Sequence, residues 1–140
     1  MQTVFADTFY WIALLNPNDE AHARAATVSK DLISVRIVTT DEVLTEFLNY
    51  FAERGPFLRR AAARLVERMH SDRNIQIVPQ TREGFLSGYR LYRARPDKGY
   101  SLTDCISMEV MRREGLSDVL TNDAHFAQKG FVCALRGQAG

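Results

Sequence analysis

Short β-branched or aromatic runs alternate with helix-period segments along the chain. Thr3 to Ala6 (TVFA) reads as a buried strand that runs straight into Asp7. Thr8 to Leu15 (TFYWIALL) is apolar and longer, so it predicts a helix, closed by the turn Asn16-Pro17-Asn18. Asp19 to Leu32 has helical composition, with Ala21, Ala25 and Val28 on one face and Asn18 as its N-cap. Val35 to Val38 predicts a second strand. Thr39-Thr40-Asp41-Glu42 then opens a helix capped by Thr40, whose Val43, Leu44, Phe47, Leu48 and Phe51 form an apolar stripe.

Gly55-Pro56 breaks the pattern, and Phe57 to His70 continues as a basic amphipathic helix. Ile75 to Val78 is a third strand, stopped by Pro79. Thr81 to Ala94 has a helical pattern weakened by Gly84 and Gly88. A loop over Arg95 to Tyr100 leads to a helix capped by Ser101, carrying Ile106, Val110 and Met111 and ending at Gly115. Asp118 to Thr121 starts a fourth strand, Asn122 to Lys129 is a polar turn or short helix, and Phe131 to Leu135 is the last strand. The tail Arg136 to Gly140 is expected to fray. Strands alternating with helices predict an α/β fold, a parallel sheet of four to five strands covered on both faces in three α/β/α layers.

In open sheets of this kind the ligand site lies outside the carboxyl ends of the strands. That rule draws attention to acids. Asp7 ends the first strand and Asp123 follows the fourth. Glu46 lies on the helix after the second strand, one turn past Glu42, and Asp104 lies in the first turn of the helix that Ser101 caps. Taken singly, Glu46, Asp104 and Asp123 read equally well as caps or solvated charges. Asp7 stands apart, because apolar runs flank it on both sides. A buried carboxylate needs a partner or a cation, so it either caps the following helix or meets a cation.

The 140 residues suit one domain spanning the chain, with room for a real core. The 46% hydrophobic and 25% charged residues are ordinary for a globular protein and argue against disorder. The net charge of +1 gives no general attraction to a polyanion, so any such partner must be met by local charge or by metal. The two cysteines, Cys105 and Cys133, form no C-x-x-C pair and read as buried thiols in a reducing compartment. The N-terminal run has no basic leader and no apolar stretch approaches ~20 residues, so a cytoplasmic protein without a membrane span is expected.

Converging carboxylates repel one another unless a cation sits between them. Mg2+ and Mn2+ take oxygen ligands. With such an ion the pocket becomes an anion site, able to polarise a phosphodiester and activate a water. The stretches FADTFYWIALLN, VLTEFLNYF, YSLTDCISMEVM and VLTNDAHF, in this order, resemble the PIN-domain nucleases, and most of all the VapC-type toxins of toxin–antitoxin pairs. The resemblance covers nearly the whole chain.

It implies a PIN-like parallel sheet and an Mg2+- or Mn2+-dependent endoribonuclease. It also implies an RNA substrate, a small antitoxin protein as partner, and a homodimer. Carried over motif by motif, its acids are Asp7 in FADT, Glu46 in LTEF, Asp104 in SLTDC and Asp123 in TND, as catalytic groups and metal ligands. Thr8, Thr121 and Asn122 sit beside them as candidate hydrogen-bond partners, with Thr121 and Asp123 sharing a side if the strand continues.

Arg60, Arg64 and Arg68 form one helical stripe, either an RNA-backbone contact or a solvated face. Arg90, Arg93, Arg95 and Lys98 precede the Asp104 helix and are candidate phosphate contacts. None of His22, His70 and His125 has metal-ligand spacing with another histidine or cysteine; His125, close to Asp123, reads as a surface residue in preference to a substrate contact. Phe9, Tyr10 and Trp11 read as core or dimer interface. No P-loop or G-x-S-x-G pattern is present. Haloacid-dehalogenase-like phosphatases need a second Asp two residues after the first, where this chain has Phe9. A stand-alone PIN nuclease in RNA processing, and a module that binds RNA or protein without cutting, are the alternatives to the toxin.

Overall fold

The computed structural model describes residues 2–133. All five strands are parallel, in the order β3-β2-β1-β4-β5, with helices flanking the sheet as α/β/α layers. β1 (Thr3–Ala6) is followed by α1 (Thr8–Leu15) and α2 (His22–Lys30), and β2 (Arg36–Thr40) by α3 (Asp41–Tyr50) and α4 (Pro56–Ser71). β3 (Ile75–Val78) leads to α5 (Arg82–Ala94) and α6 (Leu102–Glu114), and β4 (Asp118–Leu120) to α7 (Ala124–Gln128) and β5 (Val132–Cys133).

This order determines where a site can form. From β1 the chain moves outward through β2 to β3, then crosses back to place β4 on the other side of β1. The segments leaving β1 and β4 therefore part in opposite directions and open a crevice at the carboxyl ends of the two strands. Asp7 leaves β1 there and Thr121 leaves β4 there, one residue beyond the paired Ala6 and Leu120.

The core is that of a sheet covered on both faces. Val4, Phe5 and Ala6 are all buried, as are Val119 and Leu120 beside them. Phe47 of α3 and Phe51 just past its end, Met108 and Met111 of α6, and Phe126 of α7 pack onto the same cluster. Tyr10 and Trp11 are buried in it, edge to face at 4.9 Å, and Cys105 is a buried free thiol.

Several expectations change in detail. The second helix begins at His22, not Asp19, because Asx turns consume the preceding residues. Asn16 Oδ1 accepts from the Asn18 amide at 3.0 Å and Asp19 Oδ1 from the Ala21 amide at 2.9 Å. Asn18 therefore caps nothing, and α2 starts without a side-chain cap. β2 runs two residues further than expected, through Thr39 and Thr40, and Thr40 still caps α3 by accepting from the Val43 amide.

β4 stops at Leu120, so the alternation expected to align Thr121 with Asp123 does not extend that far. β5 is described at Val132–Cys133; the expected continuation to Leu135 and the frayed tail from Arg136 lie outside the described residues.

Gly84 and Gly88 do not break α5. Gly88 is required where α5 crosses α6, because a Cβ there would collide with the Ile106 side chain and stand 3.0 Å from its backbone nitrogen.

Candidate active site

Asp7 sits at the N-terminus of α1 with an extended backbone, and its side chain caps no α1 amide. One carboxylate oxygen, Oδ2, accepts from the Thr121 hydroxyl at 2.9 Å. The other, Oδ1, is buried with no hydrogen-bond partner. Burial pushes the Asp7 carboxyl up to about 7, with the charges of Asp104 and Glu46 adding to the rise, while Thr121 and the Thr8 amide pull it down. The cap reading of Asp7 therefore fails, and the cation reading keeps its physical motive.

The capping box of α6 positions Asp104. The Ser101 hydroxyl accepts from the Asp104 amide at 3.0 Å, and Asp104 Oδ2 accepts from the Ser101 amide at 3.1 Å. Asp104 is buried, and burial raises its pKa, as do the charges of Asp123 and Glu46. Glu46, half-buried on α3, is thus close enough to act on both Asp7 and Asp104.

Asp123 is the N-cap of α7, its Oδ1 accepting from the His125 amide at 2.9 Å. Thr121 turns out of the strand and bridges two of the acids. Its hydroxyl donates to Asp7 and accepts from the Asp123 amide at 3.1 Å.

The residue that sequence reasoning left at the surface is His125. Its Nδ1 lies 3.0 Å from Asp123 Oδ1 and 3.8 Å from Asp104 Oδ2, without hydrogen-bond alignment to either, and its ring stands edge-on to the buried Tyr100. Asp104, Asp123 and His125 each bring one ligand atom to within 4.8 Å of the others. The signal was available: an Asp N-cap brings the residue two positions later back toward its own carboxylate.

Mutually repelling carboxylates, an orphaned buried carboxylate oxygen and an unaligned imidazole nitrogen form a donor set that fits a divalent cation.

The other candidates fare unevenly. The Thr8 side chain is buried with its hydroxyl unpartnered, so its only visible effect on Asp7 is through its amide. Asn122 is exposed and lines a separate cleft with Phe9 and Glu20. Arg95 makes a two-pronged ion pair with Asp97, at 3.1 and 3.0 Å, which occupies its guanidinium locally. Arg93 lies over the Tyr89 ring at 5.7 Å and shares a small cleft with Arg90. None of Arg93, Arg95 and Lys98 touches the acids among the described residues.

Residues 4–132 match the PIN domain. The chain belongs to the PIN-domain family. Among curated PIN-domain relatives, it is 27% identical over 129 residues to the 23S rRNA-specific endonuclease VapC20 of Mycobacterium tuberculosis, covering 92% of this chain and 95% of that protein. The crystal structure of VapC20, described as a Sarcin-Ricin loop cleaving toxin, superposes with a TM-score of 0.82 at 25% identity, over 92% of this chain and 96% of that one. FitAcB from Neisseria gonorrhoeae shares the fold alone, with a TM-score of 0.64 at 17% identity over 93% and 95% of the two chains. No helix among the described residues of this PIN domain is long and apolar enough to cross a membrane.

Proposed function

We propose that this PIN domain is a metal-dependent endoribonuclease acting as the toxin of a toxin–antitoxin pair. The observation that carries the proposal is the buried, unpartnered Asp7 Oδ1 beside Asp104, Glu46 and Asp123 at the β1/β4 crevice. Likeness to VapC20 along nearly the whole chain supports RNA as the substrate.

Asp7, Glu46, Asp104 and Asp123 are the ligands proposed for Mg2+ or Mn2+, with His125 as a neighbouring imidazole. A divalent ion bound there supplies Lewis acidity toward a phosphodiester and a water of lowered pKa. The chain's own residues do the rest. The capping box holds Asp104 in one rotamer, and Thr121 holds Asp7 and the Asp123 backbone in fixed relation. The carboxylates are the available acceptors for the attacking water's proton. This route requires no protein nucleophile, and Cys105 is a poor one: it is buried, with its thiol pushed up to about 11. A small antitoxin protein and a second copy of the chain are proposed as partners on the strength of the family.

The test is RNA cleavage by the purified protein. Asp7→Asn and EDTA should each abolish it with the circular dichroism spectrum unchanged, and added Mn2+ should restore the EDTA-treated protein. Undiminished cleavage in EDTA would remove the metal mechanism. Growth arrest on expression, absent with Asp7→Asn, separates a toxin from an RNA-processing nuclease and from a binding module.

A further inference from the structure

Beside the acids lies a cleft of about 620 Å3, within the roughly 300–1,000 Å3 range of small-ligand sites. Glu46 belongs to both, so the cleft is continuous with the acid cluster. One wall is α3, presenting Glu42, Glu46 and Asn49; a second is the start of α5, presenting Arg82 and Phe85; and the start of α6 adds Leu102 and Ile106. The Gln80 amide donates to Asp41 Oδ2 at 2.9 Å, which ties the first two walls together at one end.

The chemistry of the walls is specific. Phe85 is 40% exposed, its ring stacked on Tyr89 at 11° between planes, with the Arg82 guanidinium 5.6 Å from its centroid. The side-chain amides of Asn49 and Gln80 make no hydrogen bond among the described residues. An aromatic face, a guanidinium plane and free polar edges around one cleft are what an unpaired nucleobase needs. A partner helix would need a continuous apolar groove, and two carboxylates, an arginine and two amides interrupt this one.

We propose that the cleft seats one unpaired guanine of the RNA next to the phosphodiester that is cut. The base stacks on the guanidinium plane of Arg82, which Phe85 backs, and is read along its edge by Glu42. A carboxylate is an acceptor only, with two oxygens side by side. Guanine alone among the four bases presents two adjacent N–H donors, N1–H and the N2 amino group, to match them. Adenine and cytosine offer one amino group beside an acceptor, and uracil one N–H between two carbonyls. Seating the base fixes which phosphate reaches the acids, so the cleft would set the cleavage position. This rests on the nuclease reading for its consequence, but not for its test.

Free nucleosides carry no phosphate and so probe the cleft without bringing a phosphodiester to the acid cluster. In the Phe85→Trp protein, guanosine should quench the new indole emission saturably and more strongly than adenosine, cytidine or uridine. Wild-type emission, from the buried Trp11, should not change, and adding Glu42→Gln should erase the preference. In cleavage of a single-stranded RNA, Phe85→Ala should lose roughly 5- to 150-fold in kcat/KM and scatter the cut positions, while Phe85→Tyr keeps both.

Quenching that is absent or equal for all four nucleosides overturns the proposal. So does a Phe85→Ala protein whose cut positions are unchanged. If that variant also falls from dimer to monomer by light scattering, the face is a contact between copies. Guanosine binding by a protein that cuts no RNA would instead uphold the base seat and remove the nuclease reading.

Discussion

Asp7 illustrates how one atom can define a site. Its Oδ1 is buried without a partner, while Oδ2 is held by Thr121. Such a carboxyl favours its neutral form in the metal-free protein, which gives a signed pH dependence. The folded pKa is raised from 3.8 to about 7, so the unfolded chain releases its proton first as pH rises. The stabilising contribution of neutral Asp7 is complete below about pH 4 and is lost as pH rises through 7.

In EDTA, Asp7→Asn should therefore melt higher than wild type at pH 8, with the difference shrinking toward pH 5, while cleavage is lost at every pH. A variant that melts lower than wild type at pH 8 would contradict the unpaired, uncompensated state of Oδ1. Thr121 carries a separate expectation. Thr121→Val removes the hydroxyl that joins Asp7 to the Asp123 amide and should cost about 1–3 kcal/mol in a denaturant melt. Thr121→Ser should recover most of it, because only the hydroxyl is used.

At the scale of elements, α6 is held at both ends and in the middle by local chemistry. Ser101 and Asp104 cap each other at its start, and Gly115 ends it in the left-handed region at φ 70°. Ser101→Ala should cost about 1 kcal/mol of stability. It should also lower cleavage more than that loss explains, because Asp104 is freed from its rotamer; chemical denaturation and kcat measured together check this. Where α5 meets α6, Gly88→Ala forces a methyl into Ile106 and should cost roughly 1–3 kcal/mol, read from the shift in melting midpoint.

These elements also show how much the chain discloses by itself. The alternation of apolar runs disclosed the five described strands, most plainly the central β1, where burial on both faces leaves a hydrophobic word such as VFA. The helix cap at Thr40 and the stop at Gly115 were equally plain. The start of α2 was not, because Asn16 and Asp19 can cap a helix or close a turn, and tertiary packing decides between them. The Asp123 cap hinted at His125, but its approach to Asp104 and Tyr100, more than twenty residues back in the chain, is a tertiary contact that no local pattern shows. The cleft between α3 and α5 was invisible for the same reason: a cleft belongs to two surfaces, and a periodicity describes only one.

For the molecule as a whole, a divalent cation bound at the acid cluster, as proposed above, would turn mutual repulsion that opposes folding into a gain in stability. Binding to the folded state adds stability by mass action, roughly 2.7 kcal/mol when the free ion is at a hundred times its dissociation constant. Mn2+ should therefore raise the melting temperature. The gain should grow between about pH 5 and pH 8, because Asp7 must lose its proton to bind. Calorimetry in two buffers of different ionisation heat should show net proton release on binding at pH 6 and less at pH 8.

The order β3-β2-β1-β4-β5 gathers the acids from the two halves of the chain, since β1 contributes Asp7 and only the late return to β4 supplies Asp123 and the Thr121 bridge. A growing chain thus carries no assembled cluster until nearly all of the domain has emerged and folded. On the proposed nuclease reading, the chemistry is withheld from every intermediate of the chain's own synthesis, and a proteolytic cut anywhere between β1 and β4 that lets the halves part should disarm it without touching a single acid.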